Sequence, residues 1–160
     1  MSKPAPSPVS TALGRIPSGL YIVTTRVAGK PIGFLGSFVQ QVGFEPPTLC
    51  VAFALDRPHL EECTAEGRFG LSVLDSESQD LKRAFLKRQA EGATPFDDLK
   101  VGAAVSGTPV LLDALAWLDC KITGRYDTGD HAVLFAEVVE ASVLRAGDPH
   151  IHLRKNGLGY

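Results

Sequence analysis

The sequence predicts a mainly β fold, a curved antiparallel sheet closed into a β-barrel with a few peripheral helices. Three observations carry this expectation. Short runs rich in β-branched and aromatic residues, beginning with LYIVTTRV at 20–27, recur through the first half of the chain. Two long strand-like segments, 114–126 and 132–145, follow around a turn at 127–130 whose Thr128-Gly129 centre suits a reversal. Only two stretches read as helix, and closure into a barrel removes the exposed edges that such a sheet would otherwise present.

Taken in order, residues 1–12 open with MSKPAPSPVS, a Pro/Ser-rich arm expected to be disordered and lacking the apolar core of a secretion signal. The folded domain is expected over 13–160. Across 11–18, Pro17 and the following Gly19 favour a short, broken element. Residues 20–27 make the first strand, and Ala28-Gly29-Lys30 is a tight connection that returns 31–38 as its hairpin partner. Val39, Gln40 and Gln41 follow as a short polar and β-branched connection. Glu45-Pro46-Pro47 is a rigid break, because each proline fixes φ and removes a backbone donor. The apolar run 48–54 reads as a strand buried on both sides.

Asp56-Arg57-Pro58 has the form of a helix start, with proline at the first helical position. The short helix 59–66 ends at Gly67, and 69–74 is a strand. Residues 76–88 make a second helix, with Leu81, Phe85 and Leu86 on one face and Lys82, Lys87 and Arg88 outside it. The stretch 90–107 carries glycines, an Asp pair and a Thr-Pro step and is expected to be mostly loop. A short strand at 110–112 precedes the long pair, and the chain closes on 150–153 and a loop holding Asn156-Gly157. No internal repeat or second domain is evident.

Composition narrows the function. One domain of 160 residues is long enough for a sizeable core. The net charge is −2 with both signs interspersed, so no basic stripe argues for nucleic acid. No apolar run approaches the length of a membrane span. Cys50, Cys63 and Cys120 are scattered and odd in number, which favours reduced thiols in a cytoplasmic protein over a disulfide framework.

The stretch between the strands at 31–38 and 48–54 offers exposed amides, the Ser37 hydroxyl and two carboxamides, a set suited to a flat, polar-edged ligand carrying an anion. Gly33 and Gly36 would let another molecule approach the backbone, though a glycine pair in a strand serves close packing equally well. The Gly33-Phe34-Leu35-Gly36 spacing is not the dinucleotide fingerprint of a strand–helix unit. Arg57 at a helix start could meet a phosphate, or could pair with Asp56 or Glu61 on the surface. His131, at a strand end, is either solvated or a proton-handling group. His150 and His152 share a face in an extended chain, but a metal site would need a third ligand that the sequence does not supply. Trp117 reads as core or interface, Cys50 as an inert buried thiol, and Cys63 lacks a resolving partner. Nothing supports a Ser/His/Asp or Cys/His triad.

Six blocks occur in order: GFLGSFVQQVGFEPPTLCVAF (33–53), RPHLEEC (57–63), FGLSVL (69–74), PVLLDALAWLDCKI (109–122), GDHAVLFAEV (129–138) and HLRKNGLGY (152–160). In this succession the chain resembles the flavin reductase-like, FMN-binding split-barrel family, most closely its flavoredoxin-type branch. The resemblance implies a Greek-key split barrel that pairs as a homodimer with cofactor sites near the interface. It implies an NAD(P)H:flavin oxidoreductase that passes electrons from NADH or NADPH to FMN, and then to an acceptor or a partner monooxygenase. It also implies a cradle for the flavin made by Phe34, Leu35, Gly36 and Ser37 and continued by Phe38, Val39, Gln40 and Gln41. Ala54, Arg57, Phe85 and Lys87 match further cofactor-binding positions, and His131 matches the histidine beside the flavin face. Arg154 and Tyr160 are additional candidate contacts. The chain departs from the pattern where Phe34 and Leu35 replace a frequent threonine and Pro58 replaces a frequent hydroxyl residue. A non-catalytic flavin- or haem-binding module on the same barrel is the alternative, since such barrels host both.

Overall fold

The chain runs α1 (Pro8–Leu13), β1 (Tyr21–Val27), β2 (Lys30–Gly36), β3 (Val39–Phe44), β4 (Pro47–Ala54), α2 (Pro58–Glu66), β5 (Arg68–Val73), α3 (Gln79–Leu86), β6 (Val101–Ala103), β7 (Pro109–Leu111), β8 (Ala116–Asp127) and β9 (His131–Val143). These elements come from a computed structural model, which describes residues 6–159. Seven strands form one antiparallel sheet in the order β2-β1-β5-β8-β9-β4-β3, and β6 pairs with β7 as a separate ribbon. The mainly β architecture matches the sequence expectation.

Connectivity forces this sheet to curl. β2 and β3 are the outermost strands, yet only Ser37 and Phe38 join them. A flat seven-stranded sheet would hold its outer strands about 29 Å apart, at about 4.8 Å per neighbour. Three residue steps reach at most about 10–11 Å. The two edges must therefore meet, and the sheet closes as a barrel with a seam between β2 and β3.

Inward positions alternate along the wall. Leu49, Val51 and Phe53 of β4 are buried, as are Ala132, Leu134 and Ala136 of β9, and they share one core with Val23, Phe34, Phe69 and Leu71. Helix α2 plugs this core with Leu60 and Cys63. A second core lies outside the barrel, where Leu81 of α3 packs with Leu20, Ile22, Phe96 and Leu111, and Phe85 leans against it.

Several local expectations are corrected. Residues 39–44 are a strand rather than a connection, because the Pro46-Pro47 step turns the chain back into the hairpin β3–β4, paired from Val39↔Val51 to Phe44↔Pro47. The 48–54 run is buried on one side only, with Cys50, Ala52 and Ala54 half-exposed on the other. Helix α3 is shorter than 76–88. Ser78 Oγ donates to Asp75 Oδ1 at 2.6 Å and holds the preceding turn, and the chain leaves α3 extended at Lys87, with ψ 134°. The 90–107 loop contains β6. Within the arm expected to be disordered, residues 8–13 are helical, since Pro8 occupies the first turn and Ser7 Oγ accepts from Ser10 N at 3.1 Å. The remainder of that arm, residues 1–5, lies outside the described residues.

Two buried carboxylates lock the connections, and neither was visible in the sequence. Asp119 accepts from Arg68 Nη1 at 2.7 Å, Ser106 Oγ at 2.6 Å and Thr108 Oγ1 at 2.8 Å, tying the β6–β7 turn to β5 and β8. Asp75 takes a two-pronged bond from Arg145, Nε at 2.8 Å and Nη2 at 2.6 Å, joining the end of β5 to the segment after β9. Arg145 Nη1 also donates to the Asp113 carbonyl at 3.1 Å.

The Arg145 hydrogen bond holds the Asp75 carboxyl below the usual carboxylate range, against the opposing effect of its burial. A folded pKa below the unfolded value of about 3.9 adds stability that is full above that pH and is lost as pH falls through the folded pKa. Asp75→Asn should lower the unfolding free energy at pH 7 by about 3 kcal/mol, the low end for breaking a buried pair because the guanidinium is partly exposed. Between pH 4 and pH 2 the variant should lose less further stability than the parent, as read from urea unfolding at each pH. Parallel curves for the two proteins would refute this role.

Candidate functional site

The seam is where the wall is interrupted. Phe38 accepts from Ala52 N through its carbonyl at 3.0 Å, and Val39 N bonds back to the Ser37 carbonyl at 3.1 Å, so the chain steps between edges in two residues. The β4–β9 register sets Ala54 directly beside His131, and Leu55 N donates to the Asp130 carbonyl at 2.9 Å. The chain then enters α2, whose first residues Pro58 and His59 follow the N-cap Arg57. From the other side the C-terminal segment lies across the seam. Its His152 exchanges backbone bonds with Ser18 at 2.7 and 3.1 Å, and Gly157 N donates to the Ser10 carbonyl at 2.8 Å.

Two cavities open here, of about 910 and 670 Å³, and they share Arg57, His59, Arg154 and Gly159 as a common boundary. The larger one is walled by Phe38, Ala54, Asp130 and His131. The smaller is walled by Phe34, Leu35, Gly36, Ser37 and Phe85. Sizes and mixed apolar and polar linings of this kind suit small-molecule or cofactor sites.

Aromatic faces and guanidinium groups alternate along the boundary. Arg57 stands over the Phe34 ring with Cζ 4.8 Å from its centroid, and Arg154 over Phe38 at 4.6 Å. The Phe34 ring lies 5.3 Å from that of His59, and the Phe38 ring 5.7 Å from that of His131. Such stacks keep the cations over apolar surface. Two buried nitrogens at the boundary, His59 Nδ1 and Arg154 Nε, have no hydrogen-bond partner among the described residues. Buried polar atoms are normally satisfied, so orphans at a cavity wall mark places where a ligand can complete the bonding.

Burial pushes the His59 pKa down and Arg57 pushes the same way, while Glu62 and a backbone bond at Gly33 oppose them. The ring is therefore biased towards its neutral form. His131 is set differently. Its Nδ1 lies 2.9 Å from Asp130 Oδ1, a contact that fixes the orientation of the ring. That hydrogen bond also holds the Asp130 carboxyl below its ordinary range.

The sequence-predicted residues are thus brought together in part. Phe38, Ala54, Arg57 and His131 share the larger cavity, and Phe34, Leu35, Gly36, Ser37 and Phe85 share the smaller with Arg57. Phe34 is also core, 5.1 Å edge-to-face from Phe53, and Phe85 packs 5.2 Å from Phe96. Val39, Gln40 and Gln41 instead line a separate opening at the end of the barrel, and the two carboxamides bond to the backbone of β3 itself, at Gln41 and Gly43. Lys87 lines neither cavity but a shallow dent on α3 that shares Lys82 and Leu86 with the smaller one. A Cβ at Gly33 would come within 2.6 Å of the Val23 carbonyl, so that glycine serves wall packing. At Gly36 it would meet only the Phe34 ring, at 3.3 Å, and Val23, at 3.9 Å. Tyr160 lies outside the described residues. His150 and His152 sit in the C-terminal segment, and among the described residues no group of three or more His, Cys, Asp or Glu could hold a metal ion. No helix among them is long and apolar enough to cross a membrane.

Sequence reasoning missed His59, Lys82 and Asp130. For His59 the available signal was its place just after a helix-opening proline, where a side chain lies near the helix N-terminus. Asp130 precedes His131 in a turn, a common arrangement for fixing an imidazole.

Comparison with known proteins places this geometry in context. The model of the flavin reductase-like domain matches residues 13–157. Diflavin flavoprotein A 1 of Synechocystis is 37% identical over 156 residues, covering 96% of this chain and 27% of that protein. The chain thus spans about a quarter of the length of that curated relative. Nitrilotriacetate monooxygenase component B from Mycobacterium thermoresistibile superposes with a TM-score of 0.83 at 26% identity, over 91% of this chain and 80% of its own. A flavin reductase domain protein from Arthrobacter gives a TM-score of 0.79 at 25% identity, over 89% of this chain and 87% of its own.

Proposed function

The chain belongs to the flavin reductase-like family of flavin oxidoreductases, and from that premise we propose that it binds FMN at the seam and passes electrons from NADH or NADPH to an acceptor or a partner monooxygenase. The observation that carries this reading is the two-residue crossing at Ser37-Phe38, flanked by aromatic faces and two arginines. Orphaned nitrogens on His59 and Arg154 support the fit of a polar-edged planar group.

When bound, the flavin supplies the redox chemistry, and the protein supplies orientation and electrostatics. The Ser37-Phe38 crossing would hold the flavin ring system. Arg57, the N-cap of a nine-residue helix that starts with proline, would hold the phosphate at the start of α2. Asp130 fixes the His131 ring at the wall of the larger cavity, where the imidazole can orient a nicotinamide carboxamide or take part in proton transfer. Val42 and Phe44 are exposed at the β3–β4 tip, which supports a homodimer. Three free cysteines support a reducing compartment such as the cytoplasm. The monooxygenase component among the structural relatives supports a partner oxygenase as acceptor.

An anaerobic titration of the purified protein with NADH and NADPH, with the chromophore identified after release, tests the whole reading. Yellow protein bleaching on addition of either donor is the expected result. A red preparation with a Soret band, or a yellow one that never bleaches, would overturn it. Arg57→Ala should weaken FMN binding by roughly 10- to 150-fold, the equivalent of one charge-assisted hydrogen bond, in an equilibrium titration. Unchanged affinity would remove the phosphate assignment. His131→Ala should slow flavin reduction in stopped flow by a larger factor than it loosens FMN, and equal reduction rates would reject a role in electron input.

A further inference from the structure

One wall of the cleft is fastened differently from the others. Residues 150–159 form a strap: Arg154 walls both cavities, His152 and Asn156 the smaller, and Gly157 and Leu158 the larger. Among the described residues, none after Val138 and none before Leu20 joins a hydrophobic core. No residue of the strap is fully buried, and Ile151, Leu153 and Leu158 are largely exposed. The strap is hinged at its start, where His150 N donates to the Leu74 carbonyl at 2.8 Å, next to the locked Asp75–Arg145 pair. Beyond the hinge the N-terminal residues hold it, through the paired backbones of His152 and Ser18 and through Gly157 N on the Ser10 carbonyl.

Helix α1 is no firmer by itself. It has six residues, of which only Ser10 is buried. An isolated helix needs about 12–15 residues to be even marginally stable in water. Ser10 and Ser18, whose backbones hold the strap, each bury a hydroxyl oxygen that has no hydrogen-bond partner among the described residues. Opening to water relieves that cost. Strap and helix therefore depend on each other through backbone hydrogen bonds and little apolar burial, which is the makeup of a unit that opens while the barrel stays folded. Resting on the flavin oxidoreductase reading above, we propose that α1 and residues 150–159 open together as a clasp, and that this opening sets the rate at which flavin enters and leaves the cleft. Such a gate speeds or slows entry and exit alike, whereas a lost contact alters exit alone.

Hydrogen exchange of the full-length protein without ligand reads the clasp directly. The hydrogen-bonded amides of Gly14, His152 and Gly157 should share one level of protection, roughly 100-fold or more below that of Val51 and Leu134 in the barrel wall. Ser7→Ala removes the cap of α1 at a residue that lines neither cavity. In stopped flow with FMN it should raise the association and dissociation rate constants by the same factor, roughly fivefold, with Kd little changed. Gly157→Ala, whose Cβ would collide with Leu13, should raise both rates further. Rates unchanged in both variants would overturn the proposal. So would faster release with unchanged association, which would make the strap a contact rather than a gate. A protein that takes up no FMN would overturn the reading of the site and the gate with it, while clasp amides as protected as the barrel wall would overturn the gate alone.

Discussion

Ser37 and Phe38 impose the constraint on which the molecule depends. A link of two residues between the outermost strands of a seven-stranded sheet cannot exist unless those strands meet. Closure then follows from chain length alone, before any side chain packs. The same link marks a seam in the wall, and both cavities open beside it, one lined by Ser37 and the other by Phe38. Fold and site therefore have one cause.

What surrounds the seam gives it chemical character. The β4–β9 register delivers His131 and Asp130 from one direction, α2 delivers Arg57 and His59 from another, and the C-terminal segment brings Arg154 over Phe38. These groups sit on elements fixed by cores on both sides of the wall, with Leu60 and Cys63 anchoring α2 inside and Leu81 anchoring α3 outside. The buried carboxylates of Asp75 and Asp119 do comparable work for the loops, converting long connections into fixed spans. The result is a cleft whose carboxylates, Asp56 and Asp130, lie only on the side of the larger cavity, while Arg57 and Arg154 stand between the two.

Much of this was legible in the sequence because barrel strands carry their own periodicity. Leu49, Val51 and Phe53 alternate as an inward face should, and Pro58 and Gly67 bracket α2 as expected. The errors came where pairing across space decides the outcome. Val39–Phe44 looks too polar for a strand, but it needs only one neighbour, β4, and exposes Gln40 and Gln41 at an edge. Burial of the outer side of β4 could not be read from residues that are apolar on both faces. At the larger cavity, Phe38, Arg57 and His131 come together from separate blocks that the sequence had already singled out. His59 and Lys82 were passed over because one helical histidine or lysine looks like any other until the C-terminal segment is seen to face them.

That C-terminal segment also meets the start of the chain. Gly157 packs so closely on Leu13 that a Cβ there would collide with it, and at Gly14 a Cβ would come within 2.7 Å of the Arg154 carbonyl. Helix α1 and the last described residues thus behave as a buckle whose tongue carries Arg154, one wall of both cavities. The position of Arg154 at the mouth of the cleft is thus tied to how α1 packs, although that helix lines neither cavity.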